Sequence, residues 1–359
     1  MRKIKKLLKK IKDKVKRVNS SPPFKLRKTL NIGVIGAGIQ ASRLVTQVIN
    51  SGAKVVAVHD VEIESAKKFA KLSNSKFSTT NLDEFFQIPM DGLMVCSIPT
   101  VRLEPIRRAC EKKIHLLIEK PPAYDLNTAR KCSDYINKSD VISSVGFQFR
   151  YEPRYEKLKK LIEGHEIHLV RTKLTVNYYP NINIPTWYLQ KKFSAGPYAE
   201  QAIHLLDCVR FILGNPKPVR VASVGARNMV RYRDDIDAEN ALQLIYELDN
   251  GVFGSHTNHC GHDRVRLDLE IIGPKIQLNA NATEQIIQGT INGKKIVEDF
   301  PTENSLGGLD KVSAWLKAIE TGDRKYIRSD YKESLNTQAL IEAAVKSQSS
   351  NNMELIEKI

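Results

Sequence analysis

The sequence predicts a two-domain α/β protein: a doubly wound parallel sheet first, then a large, mostly antiparallel open sheet with its own helices. Three observations carry this. Between residues 31 and 149, short apolar runs rich in β-branched residues alternate with helical segments, the pattern of a parallel sheet covered on both faces. From Arg150 onward, strand follows strand, with hairpin signals at Asp249-Asn250-Gly251 and Asn292-Gly293. The length of 359 residues exceeds what one core usually fills.

In order, Ile32-Gly33-Val34-Ile35 leads into a glycine turn, Gly36-Ala37-Gly38-Ile39-Gln40-Ala41, and a helix to about residue 51. Strands are expected at 54–60, 92–98, 114–119 and 141–145, with helices at 63–72, 101–112 and 125–138 between them. In the second domain, residues 150–359, strands are expected at 167–178, 219–227, 241–248, 252–258, 265–272 and 286–296. Helices are expected at 198–213, 309–321 and 332–347, the last two packing back on the first domain.

Composition excludes several classes. The chain is 42% hydrophobic and 27% charged, ordinary for a soluble globular protein. No run approaches the roughly 20 apolar residues of a membrane-spanning helix. Five scattered cysteines (Cys96, Cys110, Cys132, Cys208, Cys260) fit neither a disulfide framework nor a zinc finger and point to a reducing, cytoplasmic setting. The net charge of +16 is concentrated: residues 1–28 hold thirteen Lys or Arg and one acid, Asp13.

Within that arm, Ile4, Leu7, Leu8, Ile11, Val15 and Val18 form one apolar stripe on a basic helix. Ser20-Ser21-Pro22-Pro23 then stops the helix. The arm, residues 1–19, reads as a peripheral contact with an anionic membrane. It also reads as a helix packed on protein; nucleic-acid binding ranks third, because no basic and aromatic pattern continues into the fold.

The glycine turn has a mechanical purpose. Gly36 permits the tight strand-to-helix turn, Gly38 lets backbone approach a pyrophosphate, and Ala41 keeps helix and strand close. The phosphates would sit at the helix N-terminus, where N–H groups and the dipole favour an anion. Asp60 ends the next strand, 19 residues after Ala41. That acid suits the ribose diol of NAD and would repel the 2′-phosphate of NADP.

At Glu119-Lys120-Pro121 the sequence resembles the Gfo/Idh/MocA oxidoreductase family, which includes glucose–fructose oxidoreductase and inositol dehydrogenase. The resemblance rests on Gly36–Ala41, on that triplet, on Gly146-Phe147-Gln148-Phe149-Arg150 and on Glu200-Gln201-Ala202-Ile203-His204-Leu205-Leu206-Asp207. It implies a Rossmann domain, a second α/β domain with a large open sheet, a homo-oligomer joined through that sheet, and hydride transfer between NAD(P) and a sugar or cyclitol carbon. Lys120 matches the family's active-site lysine and His204 its catalytic histidine. Glu200 stands where many members carry Asp, and Ser97-Ile98-Pro99 matches the segment beside the cofactor. The cofactor set implied is Gly36, Gly38, Ile39, Gln40, Asp60, Ser97, Ile98, Pro99, Glu119 and Lys120. Two positions depart from the pattern: Leu103 stands where a His is common, and the glycine-rich approach to the histidine helix is reduced to Ala195-Gly196-Pro197.

Oxidising a carbinol carbon requires removing the hydroxyl proton, which points to His204. Glu200, His204 and Asp207 lie at i, i+4 and i+7 of an expected helix, so Glu200 could orient the imidazole, while Lys120 could bond the same substrate oxygen. Arg171, Tyr179, Trp187 and Asp207 are candidate substrate contacts, beside Tyr178, Lys191 and Lys192. His256, His259, Cys260 and His262 have ligand chemistry suited to zinc, but a polar strand facing the cleft explains them better, so no metal site is expected. Two other classes stand beside a dehydrogenase: a regulator that binds NAD without turnover, and a membrane-associated scaffold.

Overall fold

Six parallel strands form the first sheet: β1 (Asn31–Ile35), β2 (Lys54–His59), β3 (Ser78–Thr79), β4 (Gly92–Val95), β5 (His115–Ile118) and β6 (Ser143–Val145). Their order is β3-β2-β1-β4-β5-β6. This computed structural model describes residues 24–178, 185–227, 237–299 and 310–359; the arm at 1–19 and Tyr179 lie outside them. Strands β4 and β5 are almost wholly buried, as continuous apolar runs covered on both faces must be. The first helix, Ile39–Asn50, buries Ala41, Leu44, Val45 and Val48, one face at helical spacing. The strand order reverses between β1 and β4, and such a switch point opens a crevice at the strands' C-terminal ends.

The second sheet has nine strands: β7 (Leu169–Asn177), β8 (Pro218–Ala226), β9 (Ala241–Leu248), β10 (Phe253–His259), β11 (Gly261–Gly273), β12 (Ile276–Asn281), β13 (Ile286–Ile291), β14 (Lys294–Asp299) and β15 (Glu354–Leu355). Their order is β14-β13-β12-β11-β7-β10-β9-β8-β15. Every pairing is antiparallel except that of β7 with β10. The expected strand at 286–296 is two strands hinged at Asn292-Gly293, both at positive φ. The expectation omitted β12, whose short alternation of Ile276, Leu278 and Ala280 with polar residues is weak by itself.

The helices Ile203–Ile212 and Tyr331–Ser350 bury many side chains, and apolar residues of both belong to the core shared with the large sheet. The sheet's other face is open, with Ile245 56% and Phe253 49% exposed. The helix Lys311–Thr321 instead joins the core of the first sheet, with Val312, Trp315 and Leu316 beside Ile32, Val34 and Val48. Gly92 of β4 makes room for it: a Cβ there would sit 2.7 Å from the Trp315 ring. Among the described residues, no helix is long and apolar enough to cross a membrane.

Candidate active site

Three loops from the C-terminal edge of the first sheet build one wall of the site. After β1, Gly36 adopts φ +89°, and a Cβ there would meet Ser97 N at 2.5 Å and the Cys96 carbonyl carbon at 2.6 Å. Only glycine permits this conformation and this approach. Gly38 is the opposite case: nothing lies within 4 Å of where its Cβ would be, and it caps the helix Ile39–Asn50 without any side-chain hydrogen bond. No acid occupies that helix's first turn. Open space before a helix N-terminus free of acid suits a pyrophosphate, so the residues present fit NAD.

Asp60 closes this corner. Its Oδ2 accepts a hydrogen bond from Ala37 N at 2.7 Å and its Oδ1 one from Glu62 N at 3.0 Å. The acid thus secures the glycine turn, a second task beside the one read from the sequence.

The other two loops are tied together by Arg102, which is 3% exposed. Its guanidinium donates to Ser97 O at 3.0 and 2.7 Å, and to the carbonyls of Glu119 and Pro121. One buried side chain therefore fixes the Ser97-Ile98-Pro99 segment against the Glu119-Lys120-Pro121 turn. Sequence reading missed it. Arg102 immediately precedes Leu103, and nothing in its local pattern distinguishes it from a surface arginine.

The second domain supplies the opposite wall. Lys120 Nζ pairs with Glu200 Oε2 at 2.5 Å and also donates to Glu200 O at 3.0 Å. The Tyr188 ring lies 5.6 Å from Nζ. Tyr188 is itself bonded to Glu200 O and to Gln201, and its ring packs edge-on against Trp187 and Tyr178. Trp187 is therefore close to this wall, though through Tyr188.

Glu200 does not orient His204. The expected helix at 198–213 opens with a π-helical segment, Tyr198–Ala202, before the α-helix Ile203–Ile212. The wider turn changes the angular relation that i and i+4 would have in a regular α-helix, and the Glu200 carboxylate turns to Lys120. The His204 ring packs 5.6 Å from Phe149, and its Nδ1 is enclosed with no partner. Burial, and then the nearby Lys120 and Lys311 charges, push the imidazole well below its ordinary pKa. It is neutral at pH 7.

Two proposed substrate contacts are committed elsewhere. Asp207 is fully buried and receives Arg150 Nε and Nη2 at 2.7 Å each. Arg171 alternates with buried Val170 and Thr172 on β7, so the pleat sends it to the open face of the sheet. There it is 64% exposed, 3.7 Å from Glu270. Tyr179 is not among the described residues.

The histidine and cysteine constellation is dispersed. Strand β10 ends at His259, Cys260 spans the end of β7, and β11 returns on β7's other side. His256 bonds Thr172 at 2.9 Å, and burial depresses it to about 3. His262 is half-exposed beside Asp263. Among the described residues, no group of three His, Cys, Asp or Glu could hold a metal ion.

Comparison with known proteins decides the family. A model described as "Oxidoreductase family, NAD-binding Rossmann fold" matches residues 30–147, and its companion, the family's C-terminal alpha/beta domain, matches residues 159–355. The chain belongs to the Gfo/Idh/MocA oxidoreductase family. It is an NAD-binding oxidoreductase. An uncharacterized oxidoreductase of Bacillus subtilis (strain 168) is 28% identical over 53% of this chain, a match spanning 55% of that protein. The inositol 2-dehydrogenase of Rhizobium meliloti (strain 1021) is 23% identical over 89% of this chain and 97% of its own length. The fold is that of a levoglucosan dehydrogenase solved with NADH and levoglucosan, at a TM-score of 0.81 and 17% identity over 92% of this chain and 100% of that one. The family's two domains therefore account for nearly all of residues 30–355.

Proposed function

We propose that this protein is an NAD-dependent dehydrogenase acting on a CH–OH carbon of a sugar, sugar derivative or cyclitol. The observation that carries the reading is the meeting of Lys120, at the edge of the Rossmann sheet, with Glu200 on the segment leading to His204, beside a glycine turn shaped for a dinucleotide. Relatives named for inositol and levoglucosan support a polyol substrate.

In this reading, Gly36, Gly38, Ile39, Gln40 and Asp60 hold the dinucleotide, with Ser97, Ile98, Pro99 and Glu119 along its path. Bound NAD supplies the hydride acceptor. His204, held neutral by its surroundings, takes the hydroxyl proton. Lys120 donates a hydrogen bond to the same oxygen and stabilises the alkoxide that develops there. Glu200 fixes the ammonium for that purpose. The aromatic group of Tyr178, Trp187 and Tyr188 offers flat apolar surface beside it.

Denaturing the purified protein and identifying the released nucleotide tests cofactor choice. A panel of inositols, hexoses and anhydrosugars followed by nicotinamide absorbance tests the reaction. Turnover with at least one and preference for NAD over NADP are expected; no turnover with any would sink the reading. Asp60→Ala should weaken NAD binding more than NADP binding, and an unchanged ratio would remove Asp60 from cofactor discrimination.

Two contacts extend the reading. The apolar stripe and Lys-rich remainder expected for residues 1–19 favour anionic lipid, where each Lys or Arg contributes at most about 1 kcal/mol within a Debye length. Deleting residues 1–19 should abolish salt-sensitive co-sedimentation with anionic vesicles and leave NAD binding intact, since the segment that packs on the first domain, from Phe24 onward, is kept. Sedimentation of the truncated protein would refute this. The open face of the large sheet carries exposed Leu169, Ile245 and Phe253 around a hollow of about 330 Å³, which suits association with a second copy. Light scattering that reports a monomer would sink that contact.

A further inference from the structure

One buried cation has entered so far only through the charge it places near His204. Lys311 opens the helix Lys311–Thr321 with a side chain only 4% exposed. Its Nζ pairs with Glu119 Oε1 and lies 3.4 Å from Gly146 O. A lysine in a helix's first turn opposes the dipole, and a local violation of this kind commonly marks a functional demand.

The Glu119 carboxylate has little freedom. Gly146 faces it closely: a Cβ there would sit 2.9 Å from its Oε2 and would push the carboxylate aside. Gln40, on the first turn after the glycine loop, donates to Oε1 at 3.3 Å. Glu119 is joined directly to Lys120, whose ammonium is bound by Glu200. Two buried acids, the buried Lys311 ammonium and the part-buried Lys120 ammonium thus lie side by side, and the structure pairs Glu119 with Lys311 and Glu200 with Lys120.

We propose that Lys311 is a positioning residue for the dehydrogenase reaction: by neutralising Glu119 it leaves Lys120 to Glu200 and to the substrate oxygen. This rests on the dehydrogenase reading above. Without Lys311, Glu119 would be a buried charge lacking its main partner, a state that proteins relieve by taking up a proton or drawing in the next cation. That cation is Lys120. Burial would raise the Glu119 carboxyl, and Lys311, with smaller help from Lys120 and Gln40, holds it below the usual range instead. The other charged or titratable groups facing this carboxylate are Cys96 and Arg102. Neither can replace Lys311: burial pushes Cys96 up to about 12, and Arg102 is spent on backbone carbonyls.

The test is a double-mutant cycle of wild type, Lys311→Met, Glu119→Gln and the double variant, with Lys311→Gln in reserve should the Met variant not fold. Turnover on a substrate found by the panel is the first measurement. Lys311→Met should lower kcat by up to roughly 10²-fold, with less effect on KM. In the Glu119→Gln background the same change should cost less than about threefold, because no carboxylate remains to compete for Lys120. Equal loss of kcat in both backgrounds would overturn the inference while leaving the dehydrogenase reading standing.

The second measurement needs no turnover. The wild-type pair stabilises the fold above the unfolded pKa of Glu119, whereas in Lys311→Met the folded carboxyl is raised and stability falls as pH rises. The deficit in melting temperature should therefore be larger at pH 8 than at pH 5, and Glu119→Gln should remove that pH dependence. A deficit that ignores both pH and Glu119 would overturn the pairing even if no sugar were turned over.

Discussion

Replacing His204 with alanine is expected to lower kcat by roughly 10²–10⁴, the usual contribution of a positioned proton-transfer group. Its neutral, enclosed imidazole next to Lys120 and Lys311 motivates this. NAD affinity should change little, because His204 belongs to the helix Ile203–Ile212 of the second domain. Lys120→Ala should cost turnover on a similar scale and disturb cofactor binding more, since it also releases Glu200 and Tyr188. The sign of the pH dependence follows from the shift: with the imidazole held below 6.5, the acidic limb of kcat/KM should fall below that value. Wild-type turnover in His204→Ala, measured by nicotinamide absorbance, would assign the base elsewhere. An acidic limb centred at 6.5 or above would contradict the environment described for the ring.

Asp207→Ala is expected to destabilise the fold by about 3–5 kcal/mol, the cost of removing one partner from a buried ion pair. Arg150 and Asp207 are both fully buried, and Arg150 also bonds Glu333 at 2.7 Å, Asn215 at 3.1 Å and Arg328 O at 2.8 Å. Arg210 completes the network through Glu333 at 2.5 Å and Thr337 at 2.8 Å. Two arginines balance two carboxylates; deleting Asp207 leaves one excess buried charge. Urea denaturation measures the loss, and a value under about 1 kcal/mol would contradict a desolvated network. Replacing Arg150 with Met and Asp207 with Leu together should cost less than the two single losses added, because neither charge is then stranded. Asp207 stands one turn beyond His204, so the single variant should also reduce turnover.

What could be read in advance depended on whether the information was local. Strands β1, β2, β4 and β5 were legible because strands buried on both faces must be apolar throughout, and Gly36 because no other residue takes its φ against the backbone of Cys96 and Ser97. The family motifs made the first sheet, the open second sheet and the positions of Lys120 and His204 readable as expectations. Strand β12 was missed because six residues with three small or medium apolar side chains carry little periodic signal.

By itself, then, the sequence determined the two sheets, the glycine cradle and the kinds of chemistry available, since each follows from periodicity or from a residue's conformational range. Only the tertiary structure decided which charges meet. A regular helical count puts Glu200 and His204 on one face, and the π-turn at Tyr198–Ala202 alters it. Asp207, a substrate candidate by its spacing, is held by Arg150 instead. Glu119 and Lys311, 192 residues apart, meet because Trp315 packs over Gly92 and carries the helix's first turn to the edge of the first sheet. Ion pairing acts over a few ångströms of space, and sequence separation carries no trace of it until the chain closes.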